Sequence, residues 1–103
     1  GLIVGPELTG WADVAPESLT VETRIEGAVV GTGSFASIPG TPVQAVAFLL
    51  AHCRARGIAL PAGTLITTGA VTGIHDIALG QSSTVTFAPG GAIQVRTIQA
   101  QPR

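Results

Sequence analysis

The sequence predicts an α+β fold, β-rich with one central buried helix, and three features predict it. Apolar and polar residues alternate over 19–25, an almost uninterrupted apolar run covers 43–53, and two β-prone runs flank Pro89-Gly90-Gly91. Alternation marks a strand with one wet face, the apolar run marks a helix, and the glycine-linked runs mark a hairpin. At 103 residues the chain fits one unit, because a second core would leave each half too small to be stable.

The chain opens on the strand-like run Leu2-Ile3-Val4 without a Met, so it is expected to continue upstream. A polar stretch rich in Pro, Gly and Asp follows to Ser18, anchored by Trp11, and reads as a surface connection. Leu19, Val21, Thr23 and Ile25 then form the inward set of the first strand. Glu26-Gly27 makes the turn, and Ala28-Val29-Val30 returns as its partner. Gly31-Thr32-Gly33-Ser34 is expected to loosen the chain. Thr41 as N-cap and Pro42 at the first helical position announce a helix over 42–56, with Gly57 as its left-handed terminator. Only Gln44 and His52 are polar between Val43 and Cys53, so the helix needs more cover than the strands supply. Strands are further expected at 64–68, 74–78, 83–88 and 92–98, with a polar tail from Gln99.

The chain is 46% hydrophobic but only 11% charged, against about 25% in ordinary soluble domains, so some apolar surface is expected to meet a partner. Five Arg, no Lys and six acids give a net charge of -1 with no basic cluster, which argues against nucleic acid as a ligand. No apolar run is long enough for a membrane helix, and the lone Cys53 cannot form an internal disulfide; a cytoplasmic setting is expected.

Little of the sequence points to chemistry. The acids Glu7, Asp13, Glu17, Glu22, Glu26 and Asp76 are scattered, and Glu22 and Glu26 read as charges on the wet face of a hairpin. On a strand His75 and Asp76 would point to opposite faces, and His52 and Cys53 diverge on the helix, so neither pair forms a dyad. Ser34 lacks the spacing of a nucleophile elbow. In Thr67-Thr68-Gly69-Ala70-Val71-Thr72-Gly73, hydroxyls and backbone N–H groups gather at a strand end, and this reads equally as a carboxylate-binding turn or a plain strand-terminating one.

Over nearly its whole length the chain resembles the 2-keto-4-pentenoate hydratases of the fumarylacetoacetase superfamily. The resemblance runs through Leu2-Ile3-Val4-Gly5-Pro6, the Glu26-Gly27 hairpin, Gly31-Thr32-Gly33-Ser34, Pro39-Gly40-Thr41-Pro42 and Ala47-Phe48-Leu49-Leu50-Ala51, and then Arg56 to Ala70, where it reads Arg-Gly-Ile-Ala-Leu-Pro-Ala-Gly-Thr-Leu-Ile-Thr-Thr-Gly-Ala. It implies a β-rich mixed-sheet fold, with residues 1–103 as the C-terminal portion of a larger domain. It also implies a hydro-lyase adding water to a 2-hydroxydienoate or its keto tautomer in aromatic-compound catabolism; the all-round apolar helix and low charge content, for their part, point to a homo-oligomer. A divalent metal, usually Mg²⁺, is implied as well, but the family's Glu-x-Glu pair, further Glu and catalytic Lys all precede this segment. Within it the resemblance assigns no metal ligand and no catalytic group, only a loop closing over the substrate, Thr68, Gly69 and Ala70. Decarboxylases and hydrolases of the superfamily share this architecture, and a non-catalytic interaction module is the alternative. Gly63-Thr64 and Gly80-Gln81 stand where the family usually has Gly-Asp, both at turn positions.

Overall fold

A computed structural model describes residues 1–102. Four strands form one sheet: β1 Thr20–Ile25, β2 Ala28–Ser34, β3 Ser82–Ala88 and β4 Ala92–Arg96, in the order β2-β1-β3-β4. Among the described residues a single α-helix, α1, spans Thr41–Ala55 between β2 and β3. The α+β class therefore holds, with every strand pair antiparallel rather than mixed.

Local chemistry explains the joints. Glu26 and Gly27 have φ of 49° and 80°, the positive pair that a two-residue turn needs to match strand twist. Glu26 also ties this turn to β3: its N–H donates to the Ser82 carbonyl, and its carboxylate accepts from the Ser82 N–H at 2.7 Å. Arg24 pairs with Glu22 on the outer face of β1, as expected of charges on a wet surface. The helix ends in a Schellman motif, Ile58 N–H to the Cys53 carbonyl and Gly57 N–H to that of Arg54, at 2.8 and 3.2 Å.

Several expectations are corrected. Gly31 to Ser34 continue β2 instead of loosening the chain. Thr41 does not cap the helix; Gly40 takes the N-cap position without a side-chain bond, and Thr41 itself has φ of 68°. Residues 2–4, 64–68 and 74–78 are not strands. A strand needs a neighbour to exchange hydrogen bonds with, and β-branched composition alone supplies none. Ser34 caps the short 3-10 turn Phe35–Ser37, accepting from Ala36 N–H while Ser37 accepts from the Ser34 N–H.

One sheet face carries the packing. Val21 lies opposite Gly33 and Phe87, Thr23 opposite Gly31 and Val85, and Val85 opposite Ile93. Residues 5–8 cross one end of this face, with Gly5 against Ile93 and Pro6 and Leu8 over Gly91 and Gly90. Leu19, Val21, Thr23 and Cys53 are the buried residues. Helix α1 is the surprise of scale, since Cys53 is its one buried residue and Phe48 is 74% exposed. The chain exposes 7576 Å², against about 5,400 Å² for a compact protein of its mass. Its radius of gyration is 15.9 Å, against about 13 Å for a compact domain of this length. The helix that composition marks for burial is thus left uncovered by its own chain.

Candidate functional site

The glycines of β2 shape the region around Thr68-Gly69-Ala70. Gly31 and Gly33 fall on the packing face, and the backbone that follows residue 70 lies directly on them. A Cβ added at Gly33 would stand 1.9 Å from the Val71 carbonyl oxygen, and one at Gly31 would stand 2.0 Å from that of Thr72. No side chain fits between strand and loop, which gives the Gly-Thr-Gly spacing its structural meaning.

Two side chains hold the loop there. The hydroxyls of Thr23 and Thr72 are 2.8 Å apart, joining strand to loop across 49 residues of sequence. His75 Nε2 lies 2.6 Å from the Thr72 carbonyl oxygen. A carbonyl only accepts, so the ring donates and Nε2 carries the hydrogen. A hollow of about 270 Å³ opens beside this contact, lined by Thr23, Ile25, Thr72, His75, Ser83 and Thr97 among others.

Thr68 is half-buried, while Gly69 and Ala70 are exposed. The threonines whose side chains bond to other described residues are Thr23, Thr64, Thr72 and Thr97, so the Thr68 hydroxyl has no such partner. Gly69 has φ of 102°, a conformation that side chains rarely adopt, and it separates Thr68 from the held segment. Thr72 and His75 were not singled out by the sequence as linked residues. The available signal was Thr72-Gly73-Ile74-His75, whose i to i+3 spacing with an internal glycine suits a turn that closes on itself.

The other candidates stay apart. His52 stacks on Phe48 at the helix surface with ring centroids 6.2 Å apart, and Cys53 is a free, buried thiol. No three His, Cys, Asp or Glu side chains converge among the described residues. A hard divalent cation asks for several convergent oxygens, so these residues alone do not fit one. No helix among the described residues is long and apolar enough to cross a membrane.

One antiparallel four-stranded sheet with one α-helix among the described residues is an α+β architecture. The chain belongs to the fumarylacetoacetate (FAA) hydrolase C-terminal family, whose profile matches residues 1–101. It is 33% identical over 96 residues to the 4-oxalocrotonate decarboxylase of Pseudomonas putida, covering 93% of this chain and 36% of that protein. A second 4-oxalocrotonate decarboxylase, from Pseudomonas sp. (strain CF600), is 32% identical with the same coverage. Among solved structures, the Pseudomonas putida G7 enzyme complexed with calcium and acetate superposes with a TM-score of 0.81, at 33% identity, covering 91% of this chain and 36% of that one. The same enzyme complexed with magnesium and adipate gives a TM-score of 0.80. The chain spans about a third of the length of these relatives, 36% in each case. The relatives are decarboxylases rather than hydratases, so superfamily membership stands and the hydratase branch is not singled out.

Proposed function

We propose that this chain forms the loop-bearing part of an enzyme that decarboxylates an unsaturated 2-oxo dicarboxylic acid of the 4-oxalocrotonate type, as a step in aromatic-compound catabolism. The observation that carries this reading is the 33% identity to a 4-oxalocrotonate decarboxylase over 93% of the chain. Loss of CO₂ from a carboxylate on the saturated carbon next to an enone leaves an electron pair that spreads through the double bond to the ketone oxygen as a dienolate. Donors placed before the reaction begins stabilise that charge most effectively. Thr68, Gly69 and Ala70 offer a hydroxyl and backbone N–H groups on a loop whose far side is held against the sheet. Residues 1–103 are then a partial domain, and the charged groups of the reaction come from the rest of the enzyme. A divalent cation such as Mg²⁺ would neutralise negative charge on the substrate, held by groups outside this chain.

Water addition to a 2-hydroxydienoate is the second reading, favoured by the sequence resemblance, and it also develops charge on the 2-oxo oxygen. Uncovered apolar surface on α1 supports an assembled enzyme, through its remaining segments or a second copy. The test joins this chain to the additional length that its relatives possess and follows both CO₂ release and water addition. CO₂ release supports the first reading and water addition alone the second. With neither, the non-catalytic module is the better account. Thr68→Val should keep the fold and lower kcat by ~10–1000-fold, as expected for losing a donor to developing charge. Unchanged kinetics in a folded variant would return the loop to a plain turn.

A further inference from the structure

We infer that Thr72 and His75 are positioning residues, a clasp that fixes where Thr68, Gly69 and Ala70 meet the substrate; this rests on the functional reading above. Three independent contacts converge on one peptide segment. The Val71 and Thr72 carbonyls lie on the bare backbone of Gly33 and Gly31. The Thr72 hydroxyl meets that of Thr23, a buried residue of the central strand β1. The Thr72 carbonyl accepts from His75 Nε2 at 2.6 Å. Position 72 is thereby tied to the sheet and to its own downstream turn, while residues 69 and 70 remain exposed.

The arrangement separates two jobs. Val71 and Thr72 are the fixed end, and Gly69, with φ of 102°, is the joint next to the donors. His75 stands near the hollow beside Thr23 and touches the loop through its backbone, so its effect on substrate runs through the loop's position. Without the clasp the loop still forms but spends less time in its competent position. Apparent affinity then falls by the lost fraction, whereas the complex that does form reacts normally. A direct donor such as Thr68 has the opposite signature, a loss in kcat.

The experiment uses the intact enzyme with His75→Ala, His75→Gln and Thr72→Val. Losing one neutral hydrogen bond should raise KM by about 2- to 10-fold with kcat nearly unchanged. Glutamine can place its amide N–H near the position of Nε2, so His75→Gln should restore most of the KM, which a merely volume-filling role would not predict. Hydrogen–deuterium exchange over Gly31 to Ser34, the paired backbone that the held loop covers, supplies an arm that needs no turnover, and it should quicken in His75→Ala and Thr72→Val. Unchanged exchange overturns the clasp, and so does quickened exchange with unaltered KM or a loss confined to kcat. If the wild-type enzyme turns over neither substrate, the functional reading falls by itself. The exchange arm then decides alone whether His75 and Thr72 hold the loop.

Discussion

Strand β1 and helix α1 both carry regularly placed apolar side chains, yet they end in opposite environments. At β1 the alternating set closes under neighbouring strands and loops, leaving Val21 and the preceding Leu19 at 4% and 3% exposure. In α1 the apolar residues surround the helix, and its main neighbour, the 3-10 turn Phe35–Ser37, cannot cover every side. Apolar content therefore measures a demand for cover, and only topology says whether the chain meets it. The sheet's packing face buries Val21 and Thr23 and leaves Val85, Phe87 and Ile93 half-buried, whereas the helix presents Val43, Phe48 and Leu50 to whatever joins it.

Substitutions in the two regions can sharpen or break this contrast. The largest effect is expected for Leu19→Ala, which empties a buried site and should cost about 2–5 kcal/mol in denaturant unfolding of the 103-residue chain. Thr23→Val keeps the shape of the strand residue but leaves the Thr72 hydroxyl without its partner; about 0.5–1.5 kcal/mol should be lost in the same assay. Phe48→Ala should change stability by no more than about 0.5 kcal/mol where the chain sediments as a monomer. A cost of several kcal/mol for Phe48→Ala would show the helix covered, as would a concentration-dependent sedimentation coefficient that this substitution abolishes. The smallest expected effect is none: calorimetric titration of the chain with Mg²⁺ should reveal no site of defined stoichiometry at micromolar affinity, because its acids do not converge.

What could be read from the sequence was what short stretches decide for themselves. The turn at Glu26-Gly27, the Gly57 terminator and the Pro89-Gly90-Gly91 reversal depend on a few neighbouring dihedrals, and each appears where the residues place it. The segments 2–4, 64–68 and 74–78 have strand-like composition but form no strand, because pairing is a property of two segments and composition describes only one. Gly31 and Gly33 escape local reading for the same reason. Their purpose is the carbonyls of Val71 and Thr72, about forty residues on. At the candidate site, the donor-bearing segment Thr68-Gly69-Ala70 was visible, since a hydroxyl and a glycine are local features. The hold on it was not, because Thr23 and Thr72 declare no partnership until β1 and the loop are brought together.

The register of the first hairpin carries a further consequence. Ile25 pairs with Ala28 and Arg24 with Val29, but Thr23 pairs with Gly31, so Val30 is an additional residue that opposes nothing. In an unbulged hairpin with the same turn, Val30 and Thr32 would stand opposite Thr23 and Val21, and both glycines would face the other side of the sheet. Turn and cradle are thus out of phase by one residue, and Val30 reconciles them. The distance from Glu26-Gly27 to Gly31 is consequently a matter of parity rather than length: adding two residues to β2 can leave the glycines beneath the loop, whereas adding one puts side chains where the backbone of Val71 and Thr72 must lie.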